Sequence, residues 1–388
     1  MRKVAVAGVG MTKFGASDLS LVELFTEAAV EAINGSGIRP NEVEALFAGN
    51  CLGGFSEGQA NIGGFLASEL GLPPNAPATR FEGACATASV AIRDAFMWVA
   101  SGFYEVVIAG GVEKILHLGT PMATRTFAMA SDSKYEVFSG ITFPGVFAML
   151  AHLYSTKYNI PLPELKERMA KVAVKNHANG VKNPLAQFQK EIDVDKVLNG
   201  VMVSDPLQLF DCCPFSDGAA ALVITTEEKA KQMVDQPVFI LGAGQGSAGG
   251  LGRQKDFTVM QSRVAASRQA YEMAGVGPDD IDVCELHDCF TIAEIVASEC
   301  LGFFEFGEGW KALDKGETEI GGRIPINPSG GLKAKGHPIG ATGAAQAYEI
   351  TKQLRGECGS RQVEGAKIGM TDTLGGDAST LVNLILGV

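Results

Sequence analysis

The stretch PNEVEALFAGNC (40–51) returns without a gap as PDDIDVCELHDC (278–289): a proline, two acids or amides, a β-branched residue, an acid, an apolar run and a closing cysteine. In this register Val43 matches Ile281, Glu44 matches Asp282 and Cys51 matches Cys289. A second register, fourteen residues longer, pairs Cys85 with His337, Ala95 with Ala347 and Phe96 with Tyr348. Each match alone is weak. Two matches in the same chain order argue for a duplicated βα unit, and they predict that Cys85 and His337 approach one another across a pseudo-twofold axis.

Working outward, strand-like runs alternate with helical stretches. VAVAGVG (4–10) reads as a first strand, followed by a helix through LVELFTEAAVEAI, a strand at ALFAG (45–49), a helix after Cys85 and a strand at EVVIAGG (105–111). This alternation predicts an α/β fold. From about Thr120 to Lys196 the pattern changes to longer helical stretches, read as an insertion over the core. Strand character returns at AAALVITT and PVFILGAG. At 388 residues the chain exceeds one ordinary core, so the expected division is 1–236, carrying the insertion at 120–196, and 237–388.

The bulk properties exclude several classes. The hydrophobic fraction of 46% and the 16 prolines argue against long disordered linkers. A net charge of -12, with no run of like charge, argues against nucleic acid as a partner. The first apolar run is too short and too glycine-broken for a signal peptide or membrane span. The 8 cysteines are too sparse for a secreted disulfide scaffold and include no CxxC pair for zinc or thioredoxin-type chemistry, so a reducing cytoplasm is expected, and no metal.

Four segments carry candidate chemistry. In FEGACATASVAI, Cys85 precedes a helix among small residues; the helix N-terminus there would favour a thiolate, while the alternative is a buried cysteine packing a helix start. In NPSGGLKAKGHPIGATG, His337 closes a glycine-rich loop, where a neutral imidazole can take a thiol proton. In VCELHDCFTIAEI a strand ends at His287-Asp288-Cys289; Cys289 offers a second thiol for acid–base work, His287 an N–H for an oxyanion, and Asp288 is read as a helix cap. In GMTDTLGGDAST, Gly375 and Gly376 offer backbone donors. Ser247 and Lys333 complete the candidate substrate-binding residues, with Lys333 and Lys335 facing either ligand phosphates or solvent. Gly244, Gly246 and Gly249 fit G-x-G-x-x-G, yet a poor helix start follows and no acid stands where a ribose needs one, so dinucleotide binding is not expected.

Together these segments, with CPFSDGAAALVI (213–224), resemble the thiolase superfamily over essentially the whole chain, and GGLKAKGHPIGATG is the most specific of them. The resemblance implies the thiolase fold, two βα domains in α-β-α-β-α layers with a helical loop insertion, and no cofactor beyond coenzyme A thioesters. HDCF stands where many thiolases have Asn-Glu-Ala-Phe, and TDTLGG lacks the usual Cys-x-Gly; sterol-carrier-type and archaeal thiolases share both changes. That match implies Cys85 as nucleophile, His337 as its activator, Cys289 as acid/base and His287 as oxyanion donor. It further implies condensation of two acetyl-CoA to acetoacetyl-CoA at the start of mevalonate synthesis and a homodimer or homotetramer. A complex with hydroxymethylglutaryl-CoA synthase through an OB-fold, zinc-ribbon protein is also implied. The alternatives are a thiolase or retro-aldolase acting on longer or branched acyl-CoA, and a non-catalytic scaffold.

Overall fold

The computed structural model describes residues 1–388. Eleven strands form, in chain order β1 (Val4–Met11), β2 (Ala45–Gly49), β3 (Ala78–Phe81), β4 (Val106–Glu113), β5 (Met202–Ser204), β6 (Leu207–Gln208), β7 (Gly218–Thr226), β8 (Val238–Ser247), β9 (Val283–Glu285), β10 (Ile368–Gly375) and β11 (Thr380–Gly387). Nine of them make one sheet in the order β3-β2-β4-β7-β1-β8-β11-β10-β9, and β5-β6 pair separately.

The duplication is visible in the pairing. In the first half β2 runs parallel to β3 and β4, β4 antiparallel to β7, and β7 antiparallel to β1. In the second half β9 bridges in parallel to Ile326 and pairs in parallel with β10, β10 runs antiparallel to β11, and β11 antiparallel to β8. The two first strands, β1 and β8, then join antiparallel through Ala5–Phe239 and Val6–Val238, making the sheet continuous. The repeated sequence segments occupy equivalent places, for a 3-10 turn opened by proline precedes β2 at Pro40–Glu42 and β9 at Pro278–Asp280.

Burial explains the layers. Every residue of β1 is buried, as expected for a strand covered on both faces. Val4, Val6 and Val9 face a core shared with the helices Thr87–Ser101 and Thr342–Leu354, whereas Ala7 faces the helix Leu21–Ser36. A register shift between Val6 and Gly8 keeps Val9 on the same side as Val6. The two inner helices pack on each other, and the helices Leu21–Ser36 and Gln261–Ala274 cover the outer faces, which completes the α-β-α-β-α order. The helix Leu21–Ser36 starts at a capping box, with the Ser20 hydroxyl accepting from Glu23 N–H and the Glu23 carboxylate from Ser20 N–H, and stops at Gly37 with φ 72°.

Between β4 and β7 the chain leaves the sheet for residues 114–217, which include the segment read as an insertion. Its helices Phe143–Lys157 and Leu162–Val181 lie over the second half and share a core with Phe290, Ile292 and Leu374.

Glycines set the distance between outer helices and sheet. A Cβ on Gly8 or Gly10 would stand 1.9 and 2.1 Å from the carbonyl oxygens of Ala32 and Ala28; on Gly242, Gly244 and Gly246 it would stand 2.1, 1.9 and 2.0 Å from those of Ala270, Ala266 and Ser262. This is why GAGQGSAGG resembles a dinucleotide fingerprint: its alternate glycines face a helix backbone, not a pyrophosphate. Gly244→Ala is therefore expected to cost about 3 kcal/mol and lower Tm by several degrees, while Gly252→Ala, whose added Cβ meets nothing within 4 Å, leaves the thermal melt unchanged. Equal melts for the two variants would contradict this packing.

Candidate active site

Cys85 stands at a strained turn. The 3-10 turn Ala84–Ala86 leads into the helix Thr87–Ser101, and Ala84 takes φ 51°, the left-handed region that a side chain disfavours. The turn is held by Thr87, whose hydroxyl accepts from Gly83 N–H (2.9 Å) and donates to the Ala84 carbonyl (2.6 Å), and by Glu82, which accepts from Ala84 N–H (2.6 Å). Gly375 at the end of β10 passes directly beneath, since a Cβ there would lie 2.3 Å from Gly83 O. The next residue, Gly376, turns its N–H toward the Cys85 sulfur and works to lower the thiol pKa. The backbone donor expected from Gly-Gly thus belongs to Gly376, and Gly375 supplies the close approach.

His337 is fixed at two points. Its backbone N–H donates to Ser216 Oγ (2.8 Å) and its Nδ1 meets Thr342 Oγ1 (2.7 Å). The Thr342 hydroxyl spends its one proton on the Pro338 carbonyl (3.0 Å), so it accepts from Nδ1–H and leaves the Nε2 lone pair free. Burial pushes the imidazole pKa down to about 3, so the ring stays neutral.

The segment 286–289 is anchored almost atom by atom. Leu286 N–H donates to Asn327 Oδ1 (2.9 Å), His287 N–H to Asp372 Oδ2 (3.4 Å), and Cys213 N–H to the Cys289 carbonyl (2.9 Å). Asp372 is itself held by Arg263 Nε (3.0 Å) and Asn383 Nδ2 (3.0 Å), with Arg263 fully buried. What remains unspent is the His287 ring: both nitrogens are buried without a partner. The His287 and His337 rings stand edge to face, 5.1 Å between centroids, and Cys85 Sγ lies within 4.8 Å of a ligand nitrogen on each. Cys289 lines the same chamber, of about 90 Å³, with Phe143, Phe147, Cys212, Cys213 and Phe215.

The electrostatics correct one expectation. The helix N-terminus does not leave Cys85 a thiolate: burial, with Glu113 and Glu82 adding to it against the Gly376 donor, pushes its thiol up to about 12. Burial also raises the Cys289 thiol far above its ordinary value and lowers His287 well below its own. The resting site is buried, and its thiols and imidazoles are uncharged.

Other expectations are also revised. Asp288 does not cap the helix Thr291–Cys300, which begins after Phe290; it accepts from Leu332 N–H (2.7 Å) and Asn176 Nδ2 (2.8 Å), capping the turn Gly331–Ala334 instead. Lys335 faces neither phosphate nor solvent but pairs with Glu285 (2.9 Å), both buried. Lys333 is 1% exposed and lines an inner cavity with His177, Lys196 and Cys212, so it is not at a surface either. Ser247 ends β8 in a separate polar cleft with Arg253 and Lys255, away from the chamber. Sequence reading missed Cys212 and Cys213, whose adjacency just before the Asp-Gly-Ala-Ala segment was the available signal. It also missed Glu113, fully buried, which binds the Cys51 and Leu52 N–H groups and whose carboxyl burial raises to about 7.

The chain matches known proteins over most of its length. Residues 4–228 match the family described as thiolase, N-terminal domain, and residues 245–388 the thiolase C-terminal domain-like family. An acetyl-CoA acetyltransferase of Methanothermobacter thermautotrophicus is 46% identical over 382 residues, 98% of either chain. The benzoylsuccinyl-CoA thiolase subunit BbsB of Thauera aromatica is 38% identical over 97% of this chain and 95% of its own. Among solved structures, an Ltp2-ChsH2(DUF35) aldolase superposes with a TM-score of 0.83 at 27% identity, covering 100% of this chain and 98% of that one. From matches that span both halves, the chain belongs to the thiolase family and is an acyltransferase of that family.

Proposed function

We propose that the protein condenses two acetyl-CoA into acetoacetyl-CoA and CoA through an acetyl-Cys85 intermediate. The observation that carries this reading is the convergence of Cys85, His287 and His337 within 4.8 Å beside a chamber whose wall holds a second thiol, Cys289.

The protonation states support an order of events. His337 Nε2 takes the Cys85 proton as sulfur attacks the thioester carbon, and Gly376 N–H with the Cys85 N–H receives the oxyanion. Cys289 begins as a thiol and gives its proton to the departing CoA sulfur; the thiolate so formed then removes the α-proton of the second acetyl-CoA. The enolate oxygen takes a hydrogen bond from His287, the enolate carbon attacks acetyl-Cys85, and the released Cys85 sulfur recovers its proton from His337. One carbon–carbon bond forms, one sulfur–carbon bond to CoA breaks, and every proton is returned.

Chamber size supports a short acyl group. About 90 Å³ is less than the roughly 150 Å³ that admits benzene, so a two-carbon acyl fits, while longer or branched groups require Phe143 and Phe147 to move. We place the nucleotide of CoA in the cleft of Ser247, Arg253 and Lys255, where two cations face polar walls. Synthesis of mevalonate, a cytoplasmic site, a homodimer or homotetramer and a complex with hydroxymethylglutaryl-CoA synthase are supported by the resemblance to archaeal thiolases.

Two half-reactions separate the roles. Cys289→Ala is expected to reduce acetoacetyl-CoA formation more than 10³-fold while exchange of labelled CoA into acetyl-CoA persists at a reduced rate; loss of neither activity would refute the acid/base assignment. His287→Ala should lower kcat by about 10²–10³ with little change in KM, the usual loss for one oxyanion donor. Because His337 is held neutral down to about pH 3, acylation of Cys85 should show no acid limb between about pH 5 and 8. Stopped-flow CoA release across that range checks this, and a limb near pH 6.5, where a free histidine titrates, would contradict it.

A further inference from the structure

Two of the three groups that converge on the chamber carry electron pairs that reach no protein donor. His337 directs Nε2 inward because Thr342 holds Nδ1, and His287 has both ring nitrogens free although it is completely buried. Leaving buried nitrogens such as those of His287 unpaired is costly, and condensation employs only one of them, as a donor. Together with Cys85 Sγ, one nitrogen of each ring forms a triangle no wider than 4.8 Å on any side, with all three residues buried.

We propose that this triangle binds a borderline transition-metal dication, zinc above all, in a complex that excludes the acyl-CoA. A soft sulfur and two imidazoles are the ligand set of zinc, cobalt and copper, and one that magnesium or calcium avoids. Zinc–nitrogen bonds of about 2.0–2.1 Å and a zinc–sulfur bond of about 2.3 Å put tetrahedral ligand atoms roughly 3.3–3.6 Å apart. Side-chain rotation of about an ångström closes the present triangle to that size. The fourth position opens onto the chamber, where water sits in the manner of a three-ligand zinc centre. His337 already has the outer support that metal-bound histidines use, through Thr342.

The surrounding charge favours a cation. Glu113 and Glu82 both act on Cys85, and the field that resists a lone thiolate attracts a dication. Arg263, whose charge acts on His287, is neutralised by Asp372 at 3.0 Å. Binding replaces the Cys85 proton, Cys–SH + Zn²⁺ giving Cys–S–Zn⁺ and H⁺ released to solvent, with no oxidation. The ligands come from three segments more than 49 residues apart, so their spacing in sequence carries no metal motif. Metal binding rests on this geometry alone; its inhibitory effect rests on Cys85 being the nucleophile proposed above.

The test uses the full-length chain, freed of metal by chelator and titrated with Co²⁺, whose thiolate charge-transfer band and tetrahedral ligand-field bands report the ligands directly. One equivalent is expected to develop both bands, Zn²⁺ to displace them, and prior acetylation with acetyl-CoA to prevent them. Cys85→Ala should abolish the charge-transfer band, and His287→Gln, which fills the same space, should weaken binding at least tenfold with unchanged circular dichroism. Zn²⁺ should inhibit turnover reversibly by chelator, with Mg²⁺ inert. A Co²⁺ spectrum unaltered by Cys85→Ala, or no tetrahedral bands at stoichiometric metal, would overturn the site. Bands that form as expected in a protein unable to acylate Cys85 would keep the metal site and reject the nucleophile instead.

Discussion

Everything at the site depends on contacts between the two halves that only hydrogen can fill. A Cβ on Gly111 would lie 1.9 Å from Gly340 O, one on Gly375 2.3 Å from Gly83 O, and one on Gly343 2.0 Å from Ser89 Oγ. These glycines flank the Cys85 turn, the His337 loop and the two inner helices that follow them. They let backbone lie on backbone across the pseudo-twofold axis, and so bring a thiol and an imidazole separated by 252 positions into one buried space. A methyl group at any of the three would push the halves apart by an ångström or more, which is the scale on which catalytic geometry fails.

The same close approach sets the electrostatics. Burial keeps both thiols protonated and both histidines neutral. Such a site holds no charge to solvate before substrate arrives, and its donors are fixed before they are needed. Fixing them falls to residues that do no chemistry themselves. Thr342 chooses the His337 tautomer, Ser216 holds its backbone, and the buried Arg263–Asp372 pair holds that of His287. Removing one member of that pair would leave an uncompensated buried charge, at about 3–5 kcal/mol.

Much of this was legible in the sequence, for identifiable reasons. The registers joining 40–51 to 278–289 and Cys85 to His337 reported a real repetition because the same strand order, pairing sense and proline-opened turn are used twice. Small residues around Cys85 and glycines before His337 signalled close backbone approach, and it is there. What escaped was set by partners distant in the chain. Lys335 turns inward to Glu285, and Asp288 caps a turn 43 residues on instead of its own helix. The Cys85 thiol follows burial rather than the helix end next to it. Phe143 and Phe147 reach the chamber from a segment whose pattern reads only as helix. The alternation of glycines in GAGQGSAGG looked like a phosphate loop because a helix backbone and a pyrophosphate both require absent side chains.

The proposed chemistry requires Cys85 to act as a covalent nucleophile within a space sized for a short acyl group. Intact-protein mass spectrometry after mixing with acetyl-CoA measures this directly. A single acetyl adduct on the wild type and none on Cys85→Ala is the predicted result. An adduct that survives Cys85→Ala, or its absence with acetyl-CoA while a longer acyl-CoA acylates readily, would contradict it.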